Sequence, residues 1–192
     1  MKRLYLALLV ILLPLSQLCY SQSRTPIKPV KVTTPPVIDG LLDEDVWKKN
    51  DGISGFKTFI PDYGKDLPYN TIVWAAYDEE NLYYAFRCFD AEPDKIKVSV
   101  DARDKIRQDD WVCVNLDSFN DQQTLYCIYS NANGIQMDTR FAAGKDDLGM
   151  DLVFYSAGTI DNECSLHRKA AYMAFECCSH HYRLLIRKPY AL

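Results

Sequence analysis

Acidic side chains gather in three loop segments of the sequence, and carboxylate oxygens are the ligands that Ca²⁺ prefers in proteins. The three clusters are Asp101/Asp104/Asp109/Asp110, Asp117/Asn120/Asp121 and Asp146/Asp147/Asp151. None has the twelve-residue spacing of a helix–loop–helix calcium site, so a site would be built from loops. The sequence predicts a structural calcium ion, and the alternative is that these acidic loops are solvated. The predicted ligands are Asp109, Asp110, Asp117 and Asp121.

Side chains for catalysis are scarce. The sequence contains no nucleophile elbow, zinc-protease motif or phosphate loop. All three histidines, His167, His180 and His181, lie in residues 164–192, so a Ser–His or Cys–His mechanism has no base in the rest of the chain. The neighbouring cysteines do not show the paired spacing of a zinc site. These patterns predict a protein that is not an enzyme.

Composition and charge exclude two further classes of protein. The chain has 192 residues and a formal net charge of −4, without the basic excess that nucleic-acid binding requires. Its 48% hydrophobic residues exclude a disordered chain. The charge is unevenly distributed: residues 22–163 carry 25 acidic and 15 basic side chains, and residues 164–192 carry one acidic and five basic ones. The sequence thus describes an acidic globular body followed by a basic tail.

The N-terminus resembles an export signal. Lys2 and Arg3 precede an apolar run, and Cys19 and Ser21 are small enough for the sites recognised by a signal peptidase. The run is shorter than the roughly 20 residues that span a bilayer, so no transmembrane span is expected in the mature chain. We predict that residues 1–21 are a signal peptide cleaved before Gln22 and that the protein is exported to the periplasm, outer membrane or medium. A lipid anchor at Cys19 is the alternative.

The periodicity of the acidic body is that of β-strands. Short alternating or β-branched runs are separated by turn signals, including Asn133-Gly134, which favours a tight hairpin. Residues 42–47 show the spacing of one helical turn, and residues 22–36 read as a linker or lead-in strand. The predicted fold is all-β, an antiparallel, jelly-roll-like β-sandwich with one short helical turn. The predicted strands are 71–77, 82–89, 95–100, 111–116, 125–131, 135–141 and 151–160.

Four sequence pieces occur in the order and spacing of a known family. Pro36-Val37-Ile38-Asp39-Gly40, followed by Leu42-Asp43-Glu44-Asp45-Val46-Trp47, resembles the opening of a family 9 carbohydrate-binding module. The later pieces are Tyr77-Asp78 with Leu82-Tyr83, then Asp109-Asp110 with Val112, Val114, Leu116 and Asp117, then Asn133-Gly134 with Asp138. The resemblance covers about residues 30–163. The nearest versions are the modules at the N-terminus of larger exported bacterial proteins.

The resemblance implies a β-sandwich that binds saccharides without catalysis, with calcium as a common structural ion. It also implies a neighbouring partner domain, typically a glycoside hydrolase, which this chain is too short to contain. The function expected is therefore polysaccharide binding in carbohydrate catabolism. The alternative is a sandwich without a ligand that serves as a structural or docking module of an outer-membrane protein.

Saccharide binding requires flat aromatic faces together with directional hydrogen-bonding groups. Trp47 and Trp74 sit beside apolar neighbours, and the spacing favours the core for both. Trp111 begins a strand, where its ring can reach a rim. Arginines can donate to hydroxyl groups, although ion-paired surface arginines are the alternative. The predicted ligand contacts are Trp111, Arg87, Arg103, Tyr63, Tyr69 and Trp74.

Seven cysteines are unusual for a domain of this size. Cys88, Cys113 and Cys127 lie in predicted strands with apolar neighbours, and they are expected to be buried free thiols. The family resemblance ends after Glu163, where the charge changes sign. We therefore divide the chain into a sandwich over residues 37–163, incomplete at its C-terminus, and an atypical tail over residues 164–192. Our hypothesis is that this tail is truncated or frameshifted, and resequencing of the gene tests it.

Overall fold

The computed structural model describes the backbone of residues 26–58, 63–121, 123–161, 170–177 and 185–186, and side chains as far as residue 160. The predicted signal peptide and most of the predicted tail lie outside the described residues. In the described part of the chain, no helix has the length and apolar character needed to cross a membrane.

Two β-sheets account for nearly all of the regular structure, which confirms the predicted all-β sandwich. The one α-helix among the described residues, α1, is one turn long and spans Asp45–Lys48, which overlaps the predicted helical turn at residues 42–47. The strands are β1 Val30–Lys31, β2 Thr71–Tyr77, β3 Leu82–Phe89, β4 Trp111–Leu116, β5 Leu125–Asn131, β6 Gln136–Ala142, β7 Lys145–Asp147, β8 Phe154–Asp161, β9 Ala170–Cys177 and β10 Leu185–Ile186.

The first sheet has the strand order β1-β2-β3-β9-β8, and the second has the order β10-β4-β5-β6-β7. Every pairing is antiparallel except that of β1 with β2. The predicted hairpin at Asn133-Gly134 joins β5 to β6. Gly134 adopts a φ of 77°, which glycine reaches without steric cost, and its N–H donates to the Asn131 carbonyl at 3.0 Å.

Alternation along the strands places one set of side chains between the sheets. On β4, Val112, Val114 and Leu116 are buried in this inter-sheet core, as every second residue of a strand must be when one face is covered. Large side chains from β3, including Phe86, pack against them. The inter-sheet core consists of Val73, Ala75, Leu82, Tyr84, Phe86, Cys88, Val112, Val114, Leu116, Ile128, Ala132 and Phe154.

The outer face of the first sheet is covered by the segment that precedes β2. Trp47, on α1, packs on Trp74, Ala76, Tyr83 and Ala85, which project from β2 and β3 away from the inter-sheet core. Trp47 is 3% exposed, so its predicted place in the core is confirmed. This segment, which carries the Asp39-Gly40 and Trp47 sequence signature, therefore acts as a lid on one face of the sandwich.

The predicted strand over residues 95–100 is wrong. The chain forms a 3₁₀ turn at Pro93–Lys95 and then runs without a partner strand. Its backbone amides are instead satisfied by side chains: Lys97 N–H donates to Asp110 Oδ2 and Ser99 N–H donates to Asp109 Oδ2, both at 2.9 Å. Two carboxylates thus replace the neighbouring strand that the alternating pattern predicted.

The sheet also continues beyond the predicted boundary at residue 163. The backbone of β9 pairs along its whole length with β3 on one side and β8 on the other. The prediction placed this segment outside the sandwich because the family resemblance ends after Glu163, where the charge changes sign, and Ala170–Cys177 also lacks β-branched residues. Residue 163 is therefore not the end of the first sheet.

The Asp109 carboxylate fastens the 96–110 segment to the β5–β6 hairpin, so its removal has a testable cost. Its Oδ2 accepts hydrogen bonds from Ser99 N–H, Ser99 Oγ and Asn131 Nδ2. Burial raises the pKa of Asp109, but these hydrogen bonds lower it by more, so the pKa lies below its ordinary value. We expect Asp109→Ala to lower the free energy of unfolding by about 1–3 kcal/mol.

Because the native pKa is the lower one, this contribution is present above pH ~4 and is lost as the pH falls through the native pKa. Urea unfolding of Asp109→Ala at pH 7 and at acid pH measures both effects. The exposed Asp94→Ala is the control and should change stability by less than about 0.5 kcal/mol. Equal stability of the two variants at pH 7 would contradict the account.

Candidate functional site

The candidate ligand surface is the part of the outer face of the second sheet around Trp111 and Tyr129, which are half-buried, whereas Cys113, Cys127, Met137 and Thr139 on the same face are buried. Because Val112 and Val114 point into the inter-sheet core, the alternate residues of β4 point outward, and the strand register extends this face across β5 and β6. The outward residues are Trp111, Cys113 and Asn115 on β4, Cys127, Tyr129 and Asn131 on β5, and Met137, Thr139 and Phe141 on β6.

Trp111 and Tyr129 form an aromatic pair on this face. Their ring centroids are 4.8 Å apart and their planes are perpendicular, which is a favourable edge-to-face contact. Both side chains are half-buried. Trp111 Nε1 is buried and lacks a hydrogen-bond acceptor among the described residues. Of the predicted ligand contacts, Trp111 is thus the one that the structure places on a sheet face with a second aromatic ring beside it.

A polar network fixes the position of Trp111 at the start of β4. Trp111 is paired in register with Asn131, which is completely buried. Asn131 Nδ2 donates to Asp109 Oδ2 at 2.8 Å and to the Ser99 carbonyl at 3.1 Å, and its Oδ1 accepts from the amides of Asn133 and Ile135. The start of β4 is therefore anchored to the β5–β6 hairpin beside Trp111.

Sequence reasoning missed Tyr129 and Asn131. Tyr129 lies two residues after Cys127 in a strand that had been predicted, and its pairing with β4 follows only from the register between strands. Asn131 immediately precedes the hairpin, and a buried asparagine in that place closes the turn with its side chain. The signal available in the sequence was the alternation of β5, but without a register it does not identify a neighbour for Trp111.

Two thiols lie beside the aromatic pair. Cys113 is paired with Tyr129 and Cys127 with Asn115, so the cysteines are diagonal neighbours on one face. The Cys113 thiol lies within hydrogen-bonding reach of Cys127 and lowers the pKa of Cys127 to about 7, while burial raises the pKa of Cys113. Burial also raises the pKa of Tyr129. Cys88, Cys113 and Cys127 are buried thiols, as predicted, and none of them forms a disulfide among the described residues.

Trp74 and Arg87 do not lie on this face. Trp74 is 9% exposed in the cluster beneath the N-terminal lid, and its Nε1 donates to the Asn50 carbonyl at 2.8 Å. Arg87 follows Tyr83 and Ala85 in alternation on the outer side of the first sheet. Since packed sheets are about 10 Å apart, Arg87 and Trp111 project from opposite sides of the sandwich and cannot contact one saccharide.

Arg103 is committed to an internal ion pair. Its guanidinium donates to the carboxylate of Asp138, to Gln136 Oε1 at 2.8 Å and to the Leu152 carbonyl at 2.7 Å. The Asp138 side chain is completely buried and also accepts from the Leu152 amide at 2.6 Å. The ion-paired alternative, and not a ligand contact, therefore describes Arg103.

Tyr63 and Tyr69 lie in the segment before β2, where they are 64% and 38% exposed. An ion pair between Lys57 and Asp66 joins the two sides of this segment. The two tyrosines stay predictions as ligand contacts. The six predicted residues consequently do not line one site, and only Trp111 is placed on the aromatic face of the second sheet.

The four predicted calcium ligands do not converge. Asp109 and Asp110 precede β4 and Asp117 follows it, and a six-residue strand separates its ends by roughly 20 Å. Each carboxylate already accepts main-chain hydrogen bonds: Asp117 from the Asp121 amide at 3.1 Å, and Asp121 from the Gln123 and Thr124 amides at 2.8 and 2.9 Å. Among the described residues, no group of three or more His, Cys, Asp or Glu side chains could hold a metal ion. The set predicted from sequence does not fit a shared calcium ion.

The Arg103–Asp138 pair yields a direct test of its structural role. Removing the guanidinium leaves the buried Asp138 charge without its partner, and we expect Arg103→Ala to lower the free energy of unfolding by about 3–5 kcal/mol. The matched control is Arg140→Ala, because Arg140 forms an exposed ion pair with Asp147 at 3.2 Å and should cost about 1 kcal/mol or less. Chemical denaturation measures both, and equal losses would contradict the assignment.

Comparison with known proteins supports the fold. A candidate carbohydrate-binding protein from Bacteroides uniformis covers 83% of this chain and 76% of its own, with a TM-score of 0.57 and 13% identity. A family 9 carbohydrate-binding module from Caldicellulosiruptor kristjanssonii, solved with cellotriose, covers 81% of this chain and 69% of its own, with a TM-score of 0.49 and 19% identity. The same module with glucose gives a TM-score of 0.47 at 19% identity, over 81% of this chain and 71% of the other. No protein-family model and no curated protein matches the chain. The likeness to the Bacteroides uniformis protein shows a shared β-sandwich fold.

Proposed function

We propose that this protein binds saccharides without catalysis, on the outer face of the second sheet around Trp111 and Tyr129. The observation that carries the proposal is the half-buried, edge-to-face aromatic pair at the start of β4. Aromatic faces are the surfaces on which the C–H groups of a pyranose ring rest, and a fixed orientation lowers the entropic cost of binding. The sequence resemblance and the shared fold with a candidate carbohydrate-binding protein point to the same class of ligand.

The chemistry of the face suits a neutral polyhydroxyl ligand. The indole N–H of Trp111 is buried and has no acceptor in the described part of the chain, so the proposed contact is the ring and not the nitrogen. Asn115 lies on the same face of β4, four residues or roughly 13 Å from Trp111 along the strand. Apolar surface with a few polar groups is the usual composition of a small-molecule site.

The outer face of the first sheet is a poorer candidate, because the N-terminal lid already covers it. Trp47 and Trp74 are both buried there, and their rings have no open face for a sugar. The ligand-free alternative, a structural or docking module of an outer-membrane protein, differs in what it requires of Trp111. A docking module needs no saccharide contact there, so binding measurements distinguish the two functions.

The central prediction concerns Trp111. We expect calorimetry with cello- and xylo-oligosaccharides to detect binding by the mature protein, and Trp111→Ala to weaken it about 30-fold, which corresponds to roughly 2 kcal/mol. Trp111→Phe keeps a ring but removes the N–H and should lie between these two. Binding that is unchanged in Trp111→Ala, or absent from the wild type across the panel, would overturn the proposal.

Tyr155→Ala is the matched control for that experiment. Tyr155 is an aromatic residue with 63% exposure on β8, which belongs to the first sheet. Its removal should leave saccharide affinity unchanged. Calcium stays a prediction that this proposal does not require, so the titrations are run with added Ca²⁺ and with a chelator.

We further propose that the protein is exported and acts beside a partner domain, a glycoside hydrolase or an outer-membrane protein. The support is the charged start and apolar run of residues 1–21, together with the family resemblance. Determination of the N-terminal sequence of the protein recovered outside the cytoplasm tests export, and the expected first residue is Gln22. An intact Met1 would contradict it.

A further inference from the structure

One edge of the sandwich is closed by contacts between the β5–β6 hairpin of the second sheet and β8 of the first sheet, together with the residues that lead into β8. These contacts occur at every second residue and run in opposite directions along the two segments. Three of them are hydrogen bonds between a side chain and the main chain, with donor–acceptor distances of 2.6 to 2.9 Å. We call this set of contacts the seam. It consists of Leu152 on Asp138, Phe154 on Gln136, Ser156 on Gly134 and Gly158 on Ala132.

The contact at Gly158 depends on the absence of a side chain. A Cβ on Gly158 would lie 2.5 Å from the Ala132 carbonyl oxygen and 2.9 Å from the Ala132 carbonyl carbon. Non-bonded heavy atoms are most stable at about 3.5–4.0 Å, so one of the two main chains would have to move to make room for a methyl group. Glycine thus allows β8 and the hairpin to approach more closely than any other residue would.

The strand that carries Gly158 is held from two other directions. Ala132 belongs to the inter-sheet core, whereas Gly40 of the N-terminal lid lies against β8 from the outer face. A Cβ on Gly40 would come within 3.0 Å of the Gly158 carbonyl carbon and 2.9 Å of Thr159 Oγ1. Within the sheet, β9 pairs with β8 along its whole length. Because β8 is held by the lid and by β9, a methyl group at position 158 should displace the hairpin.

The hairpin residue next to this contact is the one that adjoins Trp111. Asn131 directly precedes Ala132 and is paired in register with Trp111. Its Nδ2 also donates to Asp109 Oδ2 at 2.8 Å, two residues before Trp111. A hydrogen bond weakens when its donor and acceptor move out of line, so a displacement of Ala132 disturbs the connection between the hairpin and the start of β4.

We propose that Gly158 is a positioning residue for the saccharide site. The close approach that it allows sets the place of the β5–β6 hairpin and, through Asn131, the place of Trp111. Gly158 acts through the hairpin and not by touching the ligand, since it belongs to the first sheet and Trp111 belongs to the second. The inference rests on the proposed function, because it concerns the same aromatic site.

The test compares Gly158→Ala with Gly149→Ala, the same substitution in the segment before β8. Gly149 is exposed, and a Cβ there would meet only Asp147 Oδ1, at an ordinary 3.6 Å. In ¹H–¹⁵N spectra of the mature protein without saccharide, Gly158→Ala should shift the indole signal of Trp111 more than the signals of the two buried tryptophans. Gly149→Ala should leave all three signals in place. A purely structural role would lower the melting temperature without a selective shift of the Trp111 signal.

Saccharide affinity is the second readout. We expect Gly158→Ala to weaken the binding of cello- or xylo-oligosaccharides about 10-fold, less than the loss expected for Trp111→Ala, because the ring is displaced and not removed. If the wild type binds and Gly158→Ala binds equally well, the positioning role alone is overturned. If the wild type binds no saccharide, the proposed function fails, and the indole signals still decide whether Gly158 positions Trp111.

Ser156→Ala tests the seam without adding an atom, and it decides the question if Gly158→Ala does not fold. The substitution removes the hydroxyl that donates to the Gly134 carbonyl at 2.9 Å, and so releases the hairpin two residues from Gly158 along β8. We expect a smaller but selective shift of the Trp111 signal. An unchanged Trp111 signal in every folded variant of Gly158 and Ser156 would overturn the proposal.

Discussion

The alternation of β4 is the constraint on which the rest of the structure depends. Val112, Val114 and Leu116 must all face the first sheet to complete the inter-sheet core, and this requirement sends Trp111, Cys113 and Asn115 to the opposite side. A slip of one residue in the pairing of β4 would bury the indole and expose three core residues. Packing between the sheets therefore determines which side chains are available for binding.

The two outer faces of the sandwich are treated differently by the chain. The N-terminal segment, with α1 and Trp47, covers the first sheet and joins a second apolar cluster to the fold. The corresponding face of the second sheet carries the Trp111–Tyr129 pair in half-buried positions. Both tryptophans of the covered face are buried, whereas Trp111 on the other face is half-buried beside Tyr129.

Much of the fold follows from local patterns. Two strands begin and end where the sequence predicts them, Thr71–Tyr77 and Leu82–Phe89. Both are β-branched and aromatic runs, and they flank a four-residue turn. Asp78 closes this turn by accepting hydrogen bonds from the Glu80 and Asn81 amides. The predicted strand at residues 95–100 failed because side chains of Asp109 and Asp110, far along the chain, satisfy its amides. A one-dimensional pattern cannot reveal a partner of that kind.

The candidate site was less predictable than the fold, since it depends on register. Trp111 could be identified from its place at a strand start, but Tyr129 becomes its neighbour only when β4 and β5 are paired. Arg103 shows the opposite failure: an arginine that suits hydroxyl recognition is held by the buried Asp138, and no local feature of the sequence links residues so far apart. Long-range pairing thus decides which chemically suitable residues are free to act.

The central claim is that a saccharide contacts Trp111 and neither of the other tryptophans. The chain contains three tryptophans, so a ¹H–¹⁵N spectrum should show three indole signals, which the variants assign. On titration with a cello- or xylo-oligosaccharide, the account predicts that the Trp111 signal shifts while those of Trp47 and Trp74 remain in place. A saccharide that binds without moving the Trp111 signal, or that moves the signals of the two buried indoles instead, would contradict it.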